Sequence, residues 1–163
     1  MEKMKELIPY IVILILVILL KLFIVTPIRV NGTSMMNTLH PKDIMILNKT
    51  AYLTKNPKRF DIVVVRLEDE DIIKRVIGLP GEVIEYKDNT LYVNGKKVEE
   101  KVKGLKTTDY KSEKIPADSY LVMGDNREAS YDGRAFGFIK KKQILGRTSL
   151  VILPFNRIGN KNK

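Results

Sequence analysis

Two runs decide the reading of this chain: Asp61-Ile62-Val63-Val64-Val65-Arg66-Leu67 and, beyond Glu68-Asp69-Glu70, Asp71-Ile72-Ile73-Lys74-Arg75-Val76-Ile77-Gly78-Leu79-Pro80-Gly81. Each is a short stretch rich in Val and Ile, with Pro57 ahead of the first and Gly78-Leu79-Pro80-Gly81 closing the second. That is the pattern of strands, not helices. The second run carries two adjacent charges. Successive side chains of a strand face opposite ways, so at least one of Lys74 and Arg75 points inward.

Outward from this pair, Ile44–Leu47, Val83–Tyr86, Leu91–Val93, Tyr120–Met123 and Thr148–Leu153 have the same length and composition. Turn formers separate them: Lys87-Asp88-Asn89, Asn94-Gly95, Pro116 and Gly124-Asp125-Asn126. Asn94-Gly95 between Leu91–Val93 and Lys96–Glu99 is a strong signal for a two-residue hairpin. The chain after the first thirty residues therefore reads as mostly β, an antiparallel sheet, with Glu100–Pro116 as a polar, Lys-rich excursion. There is no internal repeat.

Toward the amino terminus the pattern changes. Leu7 to Leu20 holds 14 residues without a charge, and continued through Lys21 to Val25 the run is 19 residues long. As a helix it measures about 28 Å, close to the ~30 Å hydrocarbon thickness of a bilayer. Lys21 sits near one end, where a long side chain snorkels to the headgroups. A cleaved secretory signal would need small residues after the run, and Thr26-Pro27-Ile28-Arg29-Val30 offers no Ala-x-Ala pattern. The expectation is one N-terminal transmembrane helix, organised as a short cytoplasmic tail over 1–6, an anchor over 7–27 and an extracytoplasmic β-rich domain over 28–163.

Composition narrows the chemistry. The 163 residues contain 44% apolar side chains, enough for a packed core, and 29 Lys+Arg against 19 Asp+Glu give a net charge of +10. No nucleic-acid-binding motif accompanies that charge, so attraction to anionic lipid headgroups beside the anchor explains it more economically than nucleic acid does. There is no cysteine and one histidine, His40. Disulfides, thiolate metal sites and a Cys nucleophile are thereby excluded, and a lone histidine argues against a His-based triad or a multi-His metal site. The available chemistry must use Ser, Thr, Lys, Tyr or carboxylates.

Three segments exceed what sheet packing needs: Val30–Leu39 just outside the anchor, Asp71–Gly81, and Met123–Arg134. Singly, each has a bland reading as a turn or a solvated strand charge. Together they place a Ser in a Gly-Thr-Ser turn and an inward Lys in one chain, and a hydroxyl can be activated by a neutral amine.

These motifs resemble those of the bacterial type I signal peptidases, membrane-anchored Ser/Lys endopeptidases, in the family's order and over nearly the whole chain. Ser34-Met35-Met36-Asn37-Thr38-Leu39 is similar to the nucleophile box, which puts Ser34 in the nucleophile position. Ile73–Gly81 is similar to the box bearing the general-base lysine, here Lys74, and Gly124-Asp125-Asn126-Arg127 through Ser130, Asp132 and Arg134 to the box whose serine, here Ser130, orients that lysine. Two positions depart from the pattern. Asn37 stands where the family usually has Pro, and Gly133 where it usually has Ser. Pro presets φ, so Asn37→Pro is expected to leave activity unchanged or raise it modestly.

The resemblance implies an antiparallel β catalytic domain of signal-peptidase type that cleaves N-terminal signal peptides from exported preproteins. It also implies an oxyanion hole made by the N–H of Ser34 with Gly32 or Thr33. Arg75 with Asp125 and Asp132 with Arg134 would be supporting ion pairs. An extended substrate would add a strand to a sheet edge, with Val30, Met35, Leu39 and Ile73 lining shallow pockets for small residues. No metal or organic cofactor is called for. The partners are signal peptides and membrane lipids, and the location is the bacterial cell membrane, single-pass, with the N-terminus cytoplasmic. A catalytically silent paralogue that binds signal peptides without cutting is the alternative, and Asn37 is its support.

Overall fold

The computed structural model describes residues 2–68 and 70–161, and the side chains of residues 2–5 and 20–22 lie outside that description, as does the expectation for Lys21. A helix, α1 (Glu2–Phe23), leads into strands β1 (Val25–Arg29), β2 (Ile44–Asn48), β3 (Ile62–Leu67), β4 (Glu70–Gly78), β5 (Ile84–Lys87), β6 (Thr90–Val93) and β7 (Lys96–Val98). Then come β8 (Tyr110–Lys111), β9 (Ser119–Met123), the one-turn helix α2 (Gly133–Phe136), β10 (Ile139–Lys140), β11 (Ile144–Leu153) and β12 (Gly159–Asn160). The seven expected strands are all present, shifted by a few residues at their ends.

Among the described residues the strands form two antiparallel sheets. The larger runs β1-β2-β11-β3-β4-β9-β10 with β12 paired to β11, and the smaller runs β7-β6-β5-β8. β6 and β7 join through Asn94 and Gly95, both at positive φ, as a two-residue turn with the twist of its strands requires. The polar excursion is not a free loop. It supplies β8 to the smaller sheet and buries Thr107, Ser112 and Ile115.

One expectation needs correction. The helix stops at Phe23 and the chain is already a strand at Val25, inside the stretch expected as anchor. Ile24, Val25 and Thr26 are β-branched, and Pro27 disfavours helix at the residue before it. Pro27 lies in β1 at the sheet edge, where its missing N–H costs no ladder bond. Among the described residues no helix is long and apolar enough to cross a membrane. On α1 the described apolar side chains from Leu7 to Leu19 are nonetheless all exposed, as is Phe23.

β4 carries the argument of the fold. It begins exposed at Glu70 and is buried without a break from Lys74 to Gly78. Ile77 packs with Ile84, Tyr86, Leu121 and Met123 between the sheets, while Val76 packs with Val63, Val65, Tyr120 and Val122 on the other side. A strand covered on both faces has no solvent side. Both Lys74 and Arg75 are therefore buried, each 3% exposed, where alternation alone required only one.

Candidate active site

The loop between β1 and β2 is fixed by its apolar residues. Val30, Met35 and Leu39 sink into a cluster with Met45, Ile62 and Val151. Backbone bonds from Val30 N to Asp43 O, Lys42 N to Val30 O and Leu39 N to Met35 O close the loop on itself. Between these plugs the chain turns tightly at Thr33 and Ser34, which leaves the Ser34 side chain partly open to a cleft.

Lys74 reaches that serine from β4. Its Nζ donates to Ser34 Oγ at 2.8 Å, across a sequence separation of 40 residues. Burial pushes the Lys74 amine below its ordinary value of 10.5, and the nearby Asp132 and Asp125 carboxylates oppose that shift without reversing it. An amine so placed loses its proton more readily than one in water, which is what a base requires.

The two carboxylates are themselves engaged. Arg75 grips Asp125 through Nε at 2.8 Å and a second guanidinium nitrogen at 2.7 Å, with Asp125 fully buried. Thr38 Oγ1 also donates to Asp125. Arg134 holds Asp132 in the same two-pronged way at 2.9 Å, and the Gly124 N–H adds a bond at 3.0 Å. Burial alone would raise the Asp132 carboxyl; the bonds from Arg134 and Gly124 bring it below the usual range. Both ion pairs named from the sequence thus form, and the negative charge near Lys74 is partly spent on the arginines.

Ser130 behaves differently from its expectation. No hydrogen bond from it to Lys74 is formed: Ser130 Oγ is buried without a hydrogen-bond partner among the described residues. It packs where a side chain on Gly124 would have to go, 2.2 Å from the position of a Gly124 Cβ, and Ser34 O lies 2.4 Å from the same point.

A cleft of about 430 Å³ opens beside Ser34, lined by Arg29–Gly32, Met35 and the first half of β4 from Glu70 to Lys74. Val30, Met35 and Ile73 all border it. Leu39 does not, and its placement as a pocket residue is corrected. It is 0% exposed and belongs to the core that anchors the loop, because residue 39 closes a helical turn whose inner face is Met35. The N–H groups of Gly32, Thr33 and Ser34 form no hydrogen bonds among the described residues, which leaves three donors near the nucleophilic hydroxyl.

Asn37 also differs from expectation. It sits at φ +95° and its Nδ2 donates to Asp125 O at 3.3 Å. Proline is locked near −65°, so it cannot occupy this backbone. Gly133 is required by contact: a Cβ there would meet Leu121 Cδ1 at 2.7 Å and Val122 O at 2.8 Å.

A family model described as "Signal peptidase, peptidase S26" matches residues 4–153. The chain belongs to the signal peptidase family, peptidase S26. It is 41% identical over 160 residues to Signal peptidase I of Bacillus amyloliquefaciens, covering 91% of this chain and 86% of that protein. It is 41% identical over 154 residues to Signal peptidase IB of Staphylococcus aureus (strain COL), with 82% and 81% covered. A solved signal peptidase I from Enterococcus faecalis V583 shares 36% identity at a TM-score of 0.53, covering 57% of this chain and 97% of that one. The family and the enzyme class expected from the motifs, a serine endopeptidase of signal-peptide processing, are those found. A silent binding paralogue is not favoured.

Sequence reasoning named the signal-peptidase motifs but not everything in them that builds the site. It passed over Gly124, Asn126 and Thr38, and it gave Arg127 no function. Arg127 is buried and binds Gly124 O at 2.9 Å, Thr107 Oγ1 at 2.7 Å and Glu100 at 2.6 Å, with the Tyr86 ring 5.0 Å from its guanidinium carbon. It bolts the third motif to the smaller sheet. A Gly-Asp-Asn-Arg run signals a turn; that its glycine touches a serine 90 residues earlier is visible only once β4 and β9 are paired.

Proposed function

We propose that this chain is a membrane-anchored endopeptidase in which Ser34 is the nucleophile and Lys74 the general base. The observation that carries the reading is the 2.8 Å contact between a buried amine of lowered pKa and a serine hydroxyl at the edge of a cleft. Neutral Lys74 accepts the proton of Ser34 Oγ as that oxygen bonds to the scissile carbonyl carbon. The carbonyl π electrons move onto oxygen, and the resulting oxyanion is met by the Ser34 N–H with a second N–H from Gly32 or Thr33. When the tetrahedral centre collapses, the C–N bond breaks and the Lys74 ammonium returns the proton to the departing amine. Water, deprotonated by the same amine, then opens the ester on Ser34.

The substrate is the end of a signal peptide, taken up extended along the cleft between residues 29–32 and the start of β4. Val30, Met35 and Ile73 give that cleft an apolar wall against which the small side chains of an Ala-x-Ala ending would rest. α1 is the anchor. Its large apolar side chains from Leu7 to Leu19 stand exposed to solvent, and covering them is favourable by about 25 cal/mol per Å² of apolar surface removed from water. A lipid phase covers all of them at once, with the tail inside the cell and the β domain outside.

The test uses purified full-length protein in detergent with a preprotein carrying an Ala-x-Ala ending. Ser34→Ala keeps the backbone donors and deletes the nucleophile, so it should fold normally and release no mature protein. Lys74→Arg keeps the charge and cannot accept a proton, so it should be equally silent. Cleavage at the parent rate by either variant would refute the Ser34–Lys74 assignment.

A further inference from the structure

One residue holds both carbonyls that flank the nucleophile. Asn126 donates its backbone N–H to Ser34 O at 2.9 Å and its side-chain Nδ2 to Thr33 O at 3.2 Å. Thr33 O accepts a second bond, from Met36 N at 3.0 Å. A peptide unit is planar and trans, so its C=O and N–H point in opposite directions. The Thr33 carbonyl and the Ser34 N–H belong to the same unit. Drawing the oxygen toward Asn126 and Met36 turns the N–H the other way, and that N–H has no acceptor among the described residues.

We infer that Asn126 is a positioning residue for the reaction: its carboxamide aims the Ser34 N–H at the oxyanion of the tetrahedral intermediate, an inference that rests on the Ser34 mechanism proposed above. The donor must be short and must reach a carbonyl on a different loop, which Asn126 does from the turn directly after Gly124 and Asp125. The backbone at Gly124 comes so close to Ser34 O that a Cβ there would stand 2.4 Å from it. The Asn126 bonds go to the nucleophile loop and not to Lys74. Losing its side chain should disturb the oxyanion donor and leave the base alone.

Asn126→Ala and Asn126→Leu both keep the backbone bond to Ser34 O and remove the side-chain donor, Leu at nearly the same volume. They are compared with the parent as full chains in detergent micelles, on a fluorogenic peptide with an Ala-x-Ala ending and with the corresponding peptide aldehyde as inhibitor. A preorganised oxyanion donor lost outright costs about 100-fold to 1000-fold in kcat; one merely misaimed should cost about tenfold to 100-fold. The expected result is that fall in kcat with KM within about twofold, an unchanged pH midpoint, and aldehyde inhibition weakened by a similar factor. A folded variant with parental kcat would overturn the inference. So would a loss carried by KM or by a shifted pH midpoint, or failure of both variants to fold, since each would make the side chain structural. Ser34→Ala in the same assay separates the two readings: if it cleaves, the Ser34 mechanism fails; if it is silent while the Asn126 variants are fully active, only the role of Asn126 fails.

Discussion

At the scale of single residues the site depends on Lys74 being deprotonated often enough to work. Its amine is lowered by burial and pulled back by Asp132 and Asp125. The neutral form is the active one, so kcat/KM should rise with pH through the lysine pKa of the free enzyme, with a midpoint below 10.5. A pH–rate profile in micelles checks this, and a midpoint at or above that of an ordinary lysine would contradict it. Asn37 gives a second prediction at this scale, opposite to the one its sequence position suggested. With φ at +95°, Asn37→Pro should lower activity at least tenfold and reduce the melting temperature, whereas Asn37→Gly keeps the backbone and should lose little. Thermal melting beside peptide turnover measures both.

At the scale of elements, four pieces meet: the loop after β1, β4, the turn after β9, and α2. Lys74 and Arg75 are neighbours on β4 and leave it on opposite faces, so one strand serves the reacting hydroxyl and the Asp125 support together. Asp132 caps α2 by accepting from the Arg134 N–H and also receives the Gly124 N–H, which ties α2 to that turn. Gly133 permits the close approach of α2 to β9. Gly133→Ser should therefore cost about 1–3 kcal/mol of stability, although serine is usual at this place in the family. Urea denaturation reads the cost, and an unchanged midpoint would show that β9 gives way. The strands themselves were legible in the sequence because β-branched runs and turn formers are local signals. The double burial of β4 was not: it comes from covering both faces of one strand, and nothing in residues 70–78 alone distinguishes that from a half-exposed edge.

At the scale of the molecule, the β domain and α1 divide the work. β1 starts at Val25, so a chain trimmed to residues 24–163 retains every strand and the whole cleft. It should fold, cleave a short peptide in solution at a rate within about tenfold of the full chain, and fail to sediment with lipid vesicles that the full chain binds. Binding of the trimmed protein to neutral vesicles would mean that the β domain, and not α1, holds the lipid.

The sequence alone determined the strands, the Asn94-Gly95 hairpin, the apolar amino terminus and the motifs that carry Ser34, Lys74 and the two ion pairs. These rest on short-range periodicity, turn chemistry and residue type, and all three are written in neighbouring residues. The tertiary structure decided what needs distant residues to meet. It set the burial that lowers Lys74, the departure of Leu39 into the core, the positive φ at Asn37, the missing bond between Ser130 and Lys74, and the hold of Asn126 on Thr33 and Ser34. Burial and close contact are properties of packed surfaces, and no single stretch of chain contains both sides of the contact.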